Sequence, residues 1–184
     1  MPKRIAILGS TGSIGDNALE VIAHLGPEYR AVALSANRQT DKLLEQVRKH
    51  RPAAVAVGED ADEAACAEIK KLGTTVYRGA TGLVELVQRD DVDVVLAAIV
   101  GAAGVPATFA AIRAGKSIAL ANKESLVVAG ALLIPEARKR NVSIIPVDSE
   151  HSAVFQALKS GRREQIKRVI LTASGGPFRS WSIQ

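Results

Sequence analysis

Short blocks of consecutive apolar residues alternate along this chain with stretches whose apolar positions recur at helical spacing. Ile5-Ala6-Ile7-Leu8 predicts a first strand, followed by a glycine turn and a helix running to about Leu25. Ala31 to Leu34 predicts a second strand and Asp41 to His50 a charged amphipathic helix. After Pro52, Ala53 to Val57 predicts a third strand, then an Ala-rich helix near Asp62 to Lys71. A short Thr75-Val76-Tyr77 segment and a helix around Leu83 to Gln88 lead into Val94 to Val100. That last run is wholly apolar, as expected of a parallel strand covered on both faces. Further strands are predicted near Ser117 to Leu120 and Ser143 to Val147, a helix near Ala153 to Lys159, and a strand near Val169 to Thr172. Strand and helix in regular alternation predict an α/β fold, a doubly wound parallel sheet with right-handed crossovers.

Composition narrows the picture in three respects. With 184 residues, 47% of them hydrophobic, there is material for one full domain and part of another. No run reaches the ~20 apolar residues of a membrane helix, and the four apolar residues before Gly9 read as a strand rather than a secretion signal. One cysteine, Cys66, excludes an internal disulfide and fits a cytoplasmic protein. The net charge of +5 is spread along the chain, with clusters at Arg138-Lys139-Arg140 and Arg162-Arg163 but few aromatics to stack on bases. Small anionic molecules such as phosphates suit that balance better than nucleic acid.

Candidate chemistry begins at Gly9-Ser10-Thr11-Gly12-Ser13-Ile14-Gly15, between the first strand and first helix. Gly9 permits a tight turn, Gly12 lets backbone approach a pyrophosphate, and Gly15 lets helix and strand pack closely. The helix N-terminus offers unpaired N–H groups and a positive dipole end. The setting is that of a Rossmann-like dinucleotide site, although the spacing is G-x-x-G-x-x-G. An NAD site places a carboxylate about 20 positions further on, for the ribose 2′-hydroxyl. Here Ser35-Ala36-Asn37-Arg38-Gln39 has none before Asp41. Arg38 can pair with a 2′-phosphate, with Ser35 or Asn37 hydrogen bonding to it, so NADP is the expected cofactor.

Two more motifs fall where strands end, at the carboxyl edge that binds ligands in open α/β sheets. Ala121-Asn122-Lys123-Glu124-Ser125 gathers an amide, an ammonium and a carboxylate; Asn122 can equally be a helix cap with Lys123 and Glu124 solvated. In Pro146-Val147-Asp148-Ser149-Glu150-His151, extended backbone would turn Asp148 and Glu150 to one face, as a pair of oxygen donors for Mg²⁺ or Mn²⁺. Alternatively Asp148 caps the next helix and Glu150 favours its dipole, with His151 on the helix surface. Near the end of the chain, Ser174 and the glycines of Thr172-Ala173-Ser174-Gly175-Gly176-Pro177-Phe178 can cradle a phosphate or simply form a turn.

Taken in order, GSTGSIG, ANKES, PVDSEH and TASGGPF resemble 1-deoxy-D-xylulose 5-phosphate reductoisomerase over essentially the whole chain. The resemblance implies that Thr11, Gly12, Ser13 and Ile14 contact NADPH, together with Asn37, Arg38 and Gln39. It places Asn122 and Glu124 against the cofactor and Lys123 on the substrate. It gives Asp148 and Glu150 to the divalent metal, Mg²⁺ or Mn²⁺, with Glu150 also on the substrate, Ser149 on the substrate oxygens and Ser174 on its phosphate. Lys123, Asp148 and Glu150 are thus the expected catalytic residues. The implied reaction is a metal-assisted skeletal rearrangement and an NADPH reduction, giving 2-C-methyl-D-erythritol 4-phosphate for isoprenoid synthesis.

Asn37 stands where many relatives have glycine, and Gln39 where asparagine is usual. Family members run to roughly twice this length, the size of two or more domains. The expected division is residues 1–149 as the NADP-binding domain and 150–184 as the beginning of an α/β catalytic domain. This fragment is expected to bind NADPH without turnover, and the full-length form to be a homodimer. Val169 to Leu171 is expected to form an exposed strand edge prone to association. Two other readings remain: an NADP-dependent dehydrogenase of the semialdehyde type, which needs a cysteine nucleophile, and a non-catalytic NADP-binding module.

Overall fold

The computed structural model describes residues 1–171; Ser174 and the rest of its glycine-rich segment lie outside them. Among the described residues seven strands form one sheet: β1 (Lys3–Leu8), β2 (Tyr29–Ala36), β3 (Ala54–Val57), β4 (Thr75–Arg78), β5 (Val94–Ala97), β6 (Ser117–Leu120) and β7 (Ile144–Pro146). Their order is β4-β3-β2-β1-β5-β6-β7, and the pairings from β4 through to β6 are parallel. β7 closes the far edge, where Ile118 N–H donates to Ser143 O at 2.8 Å. The helices are α1 (Ser13–Leu25), α2 (Thr40–His50), α3 (Glu63–Lys71), α4 (Gly79–Gln88), α5 (Val105–Arg113), α6 (Glu124–Lys139) and α7 (Ser149–Lys159).

Strand alternation sorts the core into two layers. On one face Ile7, Leu34, Val55 and Val57 pack with Leu19 of α1, Leu43 and Val47 of α2, and Cys66 and Ile69 of α3. On the other, Ala6, Leu8, Ala54, Ala56, Val95 and Ile118 pack with Leu86 of α4, Ile112 of α5 and Leu133 of α6. Successive residues of β1 therefore serve opposite layers, which is why its sequence is apolar without interruption. The chain runs outward from β1 through β2, β3 and β4, then returns to β5 on the other side of β1. The crevice where such a sheet reverses direction lies beyond the carboxyl ends of β1 and β5.

Several elements differ from expectation, each for a physical reason. β5 stops at Ala97, where its partners β1 and β6 also end, and Val100 is exposed. α4 begins at Gly79 rather than near Leu83. Gly82 reads locally as a loop residue, yet an added Cβ there would sit 2.9 Å from Tyr77 Cβ, so it is a close-packing residue inside a helix. The expected strand near Val169 to Thr172 is absent among the described residues; Val169, Ile170 and Leu171 are exposed, with no neighbouring strand to pair with. Two compact units are present, Met1–Ile145 and Pro146–Gln184. No helix among the described residues is long and apolar enough to cross a membrane.

Candidate functional site

The glycine turn leaves β1 at the crevice. Gly9 has φ +81°, a conformation side chains disfavour, and a Cβ there would lie 2.9 Å from Ala98 O in the loop after β5. A Cβ at Gly15 would meet Gly9 O, Ser10 Cα and Ser10 O, each at 2.5 Å, so α1 rests directly on the turn. Gly12 is the N-cap of α1 and has no side chain to occupy its N–H groups, leaving them available to an anion. Thr11 is half-buried and Ser13 exposed, and Ile14 is 42% exposed, enough to face a ligand. This bare, glycine-lined helix start fits a pyrophosphate.

Polar contacts hold the turn from behind. Gly9 N–H donates to Ser35 Oγ at 3.0 Å, and Ser10 N–H to Ser35 O at 2.8 Å. Ser35 is 3% exposed, so its hydroxyl supports the turn and is not available to a 2′-phosphate as the sequence suggested. Gln46 of α2 accepts from Ser10 Oγ at 2.7 Å and donates to Ser10 O at 2.9 Å and Asp16 Oδ1 at 3.0 Å. Lys42, one turn earlier on α2, donates to Thr11 O at 2.9 Å and pairs with the other Asp16 oxygen. Sequence reasoning missed these residues. The only local signal is the i, i+4 spacing of Lys42 and Gln46, which shares one helix face with nothing to say what it meets.

Beyond β2, Asn37, Arg38 and Gln39 are all exposed. Asn37 O accepts from Gly58 N–H at 3.1 Å, and the Asn37 side-chain oxygen occupies the space that a Cβ at Gly58 would take. A side chain at position 37 is thus accommodated by the glycine facing it. Arg38 O accepts from Thr40 N–H at 2.9 Å, and the Arg38 residue is exposed to solvent.

At the end of β6, Asn122 is 5% exposed, while Lys123 and Glu124 are exposed. The Asn122 amide donates to Gly101 O at 2.7 Å and also to Ile99 O, and its oxygen accepts from Ser125 N–H at 3.1 Å. It therefore caps α6 and at the same time ties that helix to the loop after β5. The two readings the sequence left open, cap and site residue, are compatible at this position. Along the crevice the sheet thus gathers the glycine turn, the loop after β5 and the Asn122-Lys123-Glu124 corner.

Asp148, Ser149 and Glu150 belong to the second unit. The extended geometry expected for them is not present. β7 ends at Pro146, Asp148 is the N-cap of α7, and Ser149 and Glu150 lie in its first turn, so strand alternation does not govern where the two carboxylates sit. Asp148 accepts from His151 N–H at 3.2 Å and lies 2.6 Å from His151 Nδ1. Ser149 Oγ donates to Glu150 Oε2 at 2.9 Å. These are hard oxygen donors suited to Mg²⁺ or Mn²⁺. Among the described residues no group of three or more His, Cys, Asp or Glu side chains could hold a metal ion, so the pair fits as part of a ligand set.

Cys66 is buried in α3, and burial pushes its thiol pKa up. A neutral core thiol is the opposite of the activated nucleophile a semialdehyde-type mechanism needs.

Comparison with known proteins is consistent across sequence and structure. The family described as 1-deoxy-D-xylulose 5-phosphate reductoisomerase matches residues 5–130, and its C-terminal domain family matches residues 144–184. The 1-deoxy-D-xylulose 5-phosphate reductoisomerase of Bacteroides fragilis is 51% identical over 183 residues, 99% of this chain and 47% of the relative. The Zymomonas mobilis reductoisomerase solved in complex with NADPH superposes with a TM-score of 0.85 at 40% identity, covering 99% of this chain and 48% of that one. A DOX-P reductoisomerase crystal structure in complex with NADPH, fosmidomycin and magnesium superposes with a TM-score of 0.80 at 43% identity, covering 85% and 39%. The chain spans about half the length of the curated relatives it matches.

Proposed function

This chain belongs to the 1-deoxy-D-xylulose 5-phosphate reductoisomerase family, and from that premise we propose that it supplies the NADPH site and part of the metal and substrate site of such an enzyme. The whole protein would rearrange 1-deoxy-D-xylulose 5-phosphate and reduce the product to 2-C-methyl-D-erythritol 4-phosphate, in isoprenoid synthesis. When bound, NADPH supplies the hydride and a divalent cation supplies a Lewis acid for developing oxyanion charge. The observation that carries the reading is the bare glycine turn at the sheet's reversal point, followed by an exposed arginine instead of a carboxylate after β2.

In this account Thr11, Gly12, Ser13 and Ile14 bind the pyrophosphate through the turn and helix start. Arg38, with Asn37 and Gln39, receives the 2′-phosphate. Asn122 fixes the corner where Lys123 would meet an anionic substrate and Glu124 the cofactor. Asp148 and Glu150 donate oxygens to the metal, Ser149 contacts the substrate oxygens, and Ser174 receives the substrate phosphate. Residues 1–149 would form the NADP-binding domain and 150–184 begin the catalytic one, a division four residues beyond the boundary between the two compact units. A cytoplasmic location and a homodimeric full-length form, acting on a small sugar phosphate and not on nucleic acid or membrane, complete the proposal.

The chain alone would bind NADPH without turnover. The test is NADPH oxidation in the presence of substrate and Mn²⁺, with an intact mass showing no residue beyond Gln184. No consumption is expected; reductoisomerase product from such a preparation overturns this point. In the whole protein, D148N and E150Q are expected to abolish metal-dependent substrate binding while NADPH still binds. Substrate binding unaffected by metal would favour a non-catalytic NADP-binding module.

A further inference from the structure

The face of α2 that carries Lys42 and Gln46 makes three hydrogen bonds to two consecutive residues of the glycine turn, Ser10 and Thr11, and neither Lys42 nor Gln46 belongs to the dinucleotide motif. Ser10 is fully buried and Gln46 is 7% exposed, so their polar groups have no recourse to solvent. The single Ser10 hydroxyl proton goes to Gln46 Oε1 at 2.7 Å, the shorter of its two contacts. Both Gln46 N–H groups are committed to acceptors that cannot donate, Ser10 O and an Asp16 carboxylate oxygen, which fixes the amide orientation. Lys42 completes the set on Thr11 O and the second Asp16 oxygen.

Two consequences follow for an anion at the turn. Each peptide is planar and trans, so a carbonyl held toward α2 sends the next N–H the opposite way. Gln46 on Ser10 O thereby directs the Thr11 N–H away from α2, while the Gly12 N–H closes the turn on Gly9 O at 3.1 Å. The second consequence is electrostatic. Asp16 lies in the first turn of α1, beside the phosphate position, where an uncompensated carboxylate would repel a pyrophosphate. Lys42 and Gln46 between them occupy both of its oxygens.

We infer that Lys42 and Gln46 form a clamp that positions the pyrophosphate turn and neutralises Asp16, making them positioning residues for dinucleotide binding. This rests on the NADPH reading above but names residues outside the motif and a role distinct from that of Arg38. The clamp acts on the pyrophosphate, which NADPH and NADH share, so its loss must weaken both in the same proportion.

The test is a nicotinamide-fluorescence titration of the 184-residue chain and its variants with NADPH and with NADH. K42M is the primary variant, because Lys42 is 41% exposed and its removal opens no core cavity. Tenfold or greater weakening for both nucleotides is expected, with their affinity ratio unchanged and most of the loss restored by K42R. In D16N/K42M, affinity should recover partway, because the exposed carboxylate is gone. Q46L should weaken both nucleotides in the same way, and a thermal melt shows whether it is folded. Wild-type binding with K42M indistinguishable from it overturns the clamp alone. Loss confined to NADPH also overturns it, by placing Lys42 on the 2′-phosphate. If the wild-type chain binds neither nucleotide, the dinucleotide reading itself fails and the clamp fails with it.

Discussion

Replacing Gly15 by alanine separates the packing role of the third glycine from any general fragility of the turn. The new methyl would lie 2.5 Å from Gly9 O, Ser10 Cα and Ser10 O, all main-chain atoms, where an ordinary contact needs ~3.5 Å or more. None of the three can rotate aside, so α1 and the turn must separate by about 1 Å. Overpacking of this kind costs about 1–3 kcal/mol, and the gain from alanine in a helix offsets about 0.5–1 kcal/mol of it. The net loss is up to about 2.5 kcal/mol, a fall in Tm of up to about 10 °C for a chain of this size. The same 1 Å displacement spoils the alignment of the helix start with the phosphate, so NADPH affinity should fall at least tenfold. Gly26→Ala is the control. Gly26 has φ +81° and ψ −159°, a region open essentially to glycine alone, but an added Cβ meets nothing within 4 Å. Strain there costs a comparable ~1–3 kcal/mol at the far end of α1. G26A should therefore melt early and bind NADPH normally. Thermal melts read with nicotinamide-fluorescence titrations check both variants. G15A that melts with the wild type and binds NADPH equally well would refute the argument that α1 rests on the turn.

Other consequences are equally direct. N122A strips the amide donor from Ile99 O and Gly101 O at a buried position and leaves Ser125 N–H only its 3.3 Å bond to the Asn122 carbonyl, and should cost about 2–4 kcal/mol by denaturant unfolding. The same melt curves on D62A should show a loss of about 1 kcal/mol, because Asp62 caps α3 by accepting Ala65 N–H at 2.7 Å. The Arg4 guanidinium holds the Asp93 carboxyl down to about 2, from an ordinary 3.8. Since the folded value is the lower one, the pair's contribution is complete above about pH 4 and is lost as pH falls toward 2. Both side chains are more than a third exposed, so solvent screening keeps the effect small. D93N should accordingly lower Tm at pH 6 and match the wild type at pH 2; an equal deficit at both would show that the charge is not the cause.

Much of this fold can be read from local pattern because β1, β2, β3 and β5 are buried on both faces and admit little but apolar residues. The glycine turn is legible for a related reason: Gly9 and Gly15 sit where backbone geometry or a close approach tolerates no side chain. What stays hidden is long-range polar pairing. Ser35 looks like a free hydroxyl at a strand end until β1 is laid beside it, and Gln46 looks like one more polar residue on a helix. Element ends are hidden for a similar reason. That α7 starts at Ser149 depends on the Asp148 side chain turning to cap it, and the expected carboxylate face vanished with that one local choice. Val169 to Leu171 have strand-like composition, but composition supplies no partner strand.

Titration of the 184-residue chain with NADPH and NADH decides whether the turn and Arg38 together make an NADPH site. Saturable binding that favours NADPH, with the preference lost in R38A while residual affinity for both nucleotides remains, is the predicted result. Equal affinity for the two nucleotides, or a preference untouched by R38A, would contradict it.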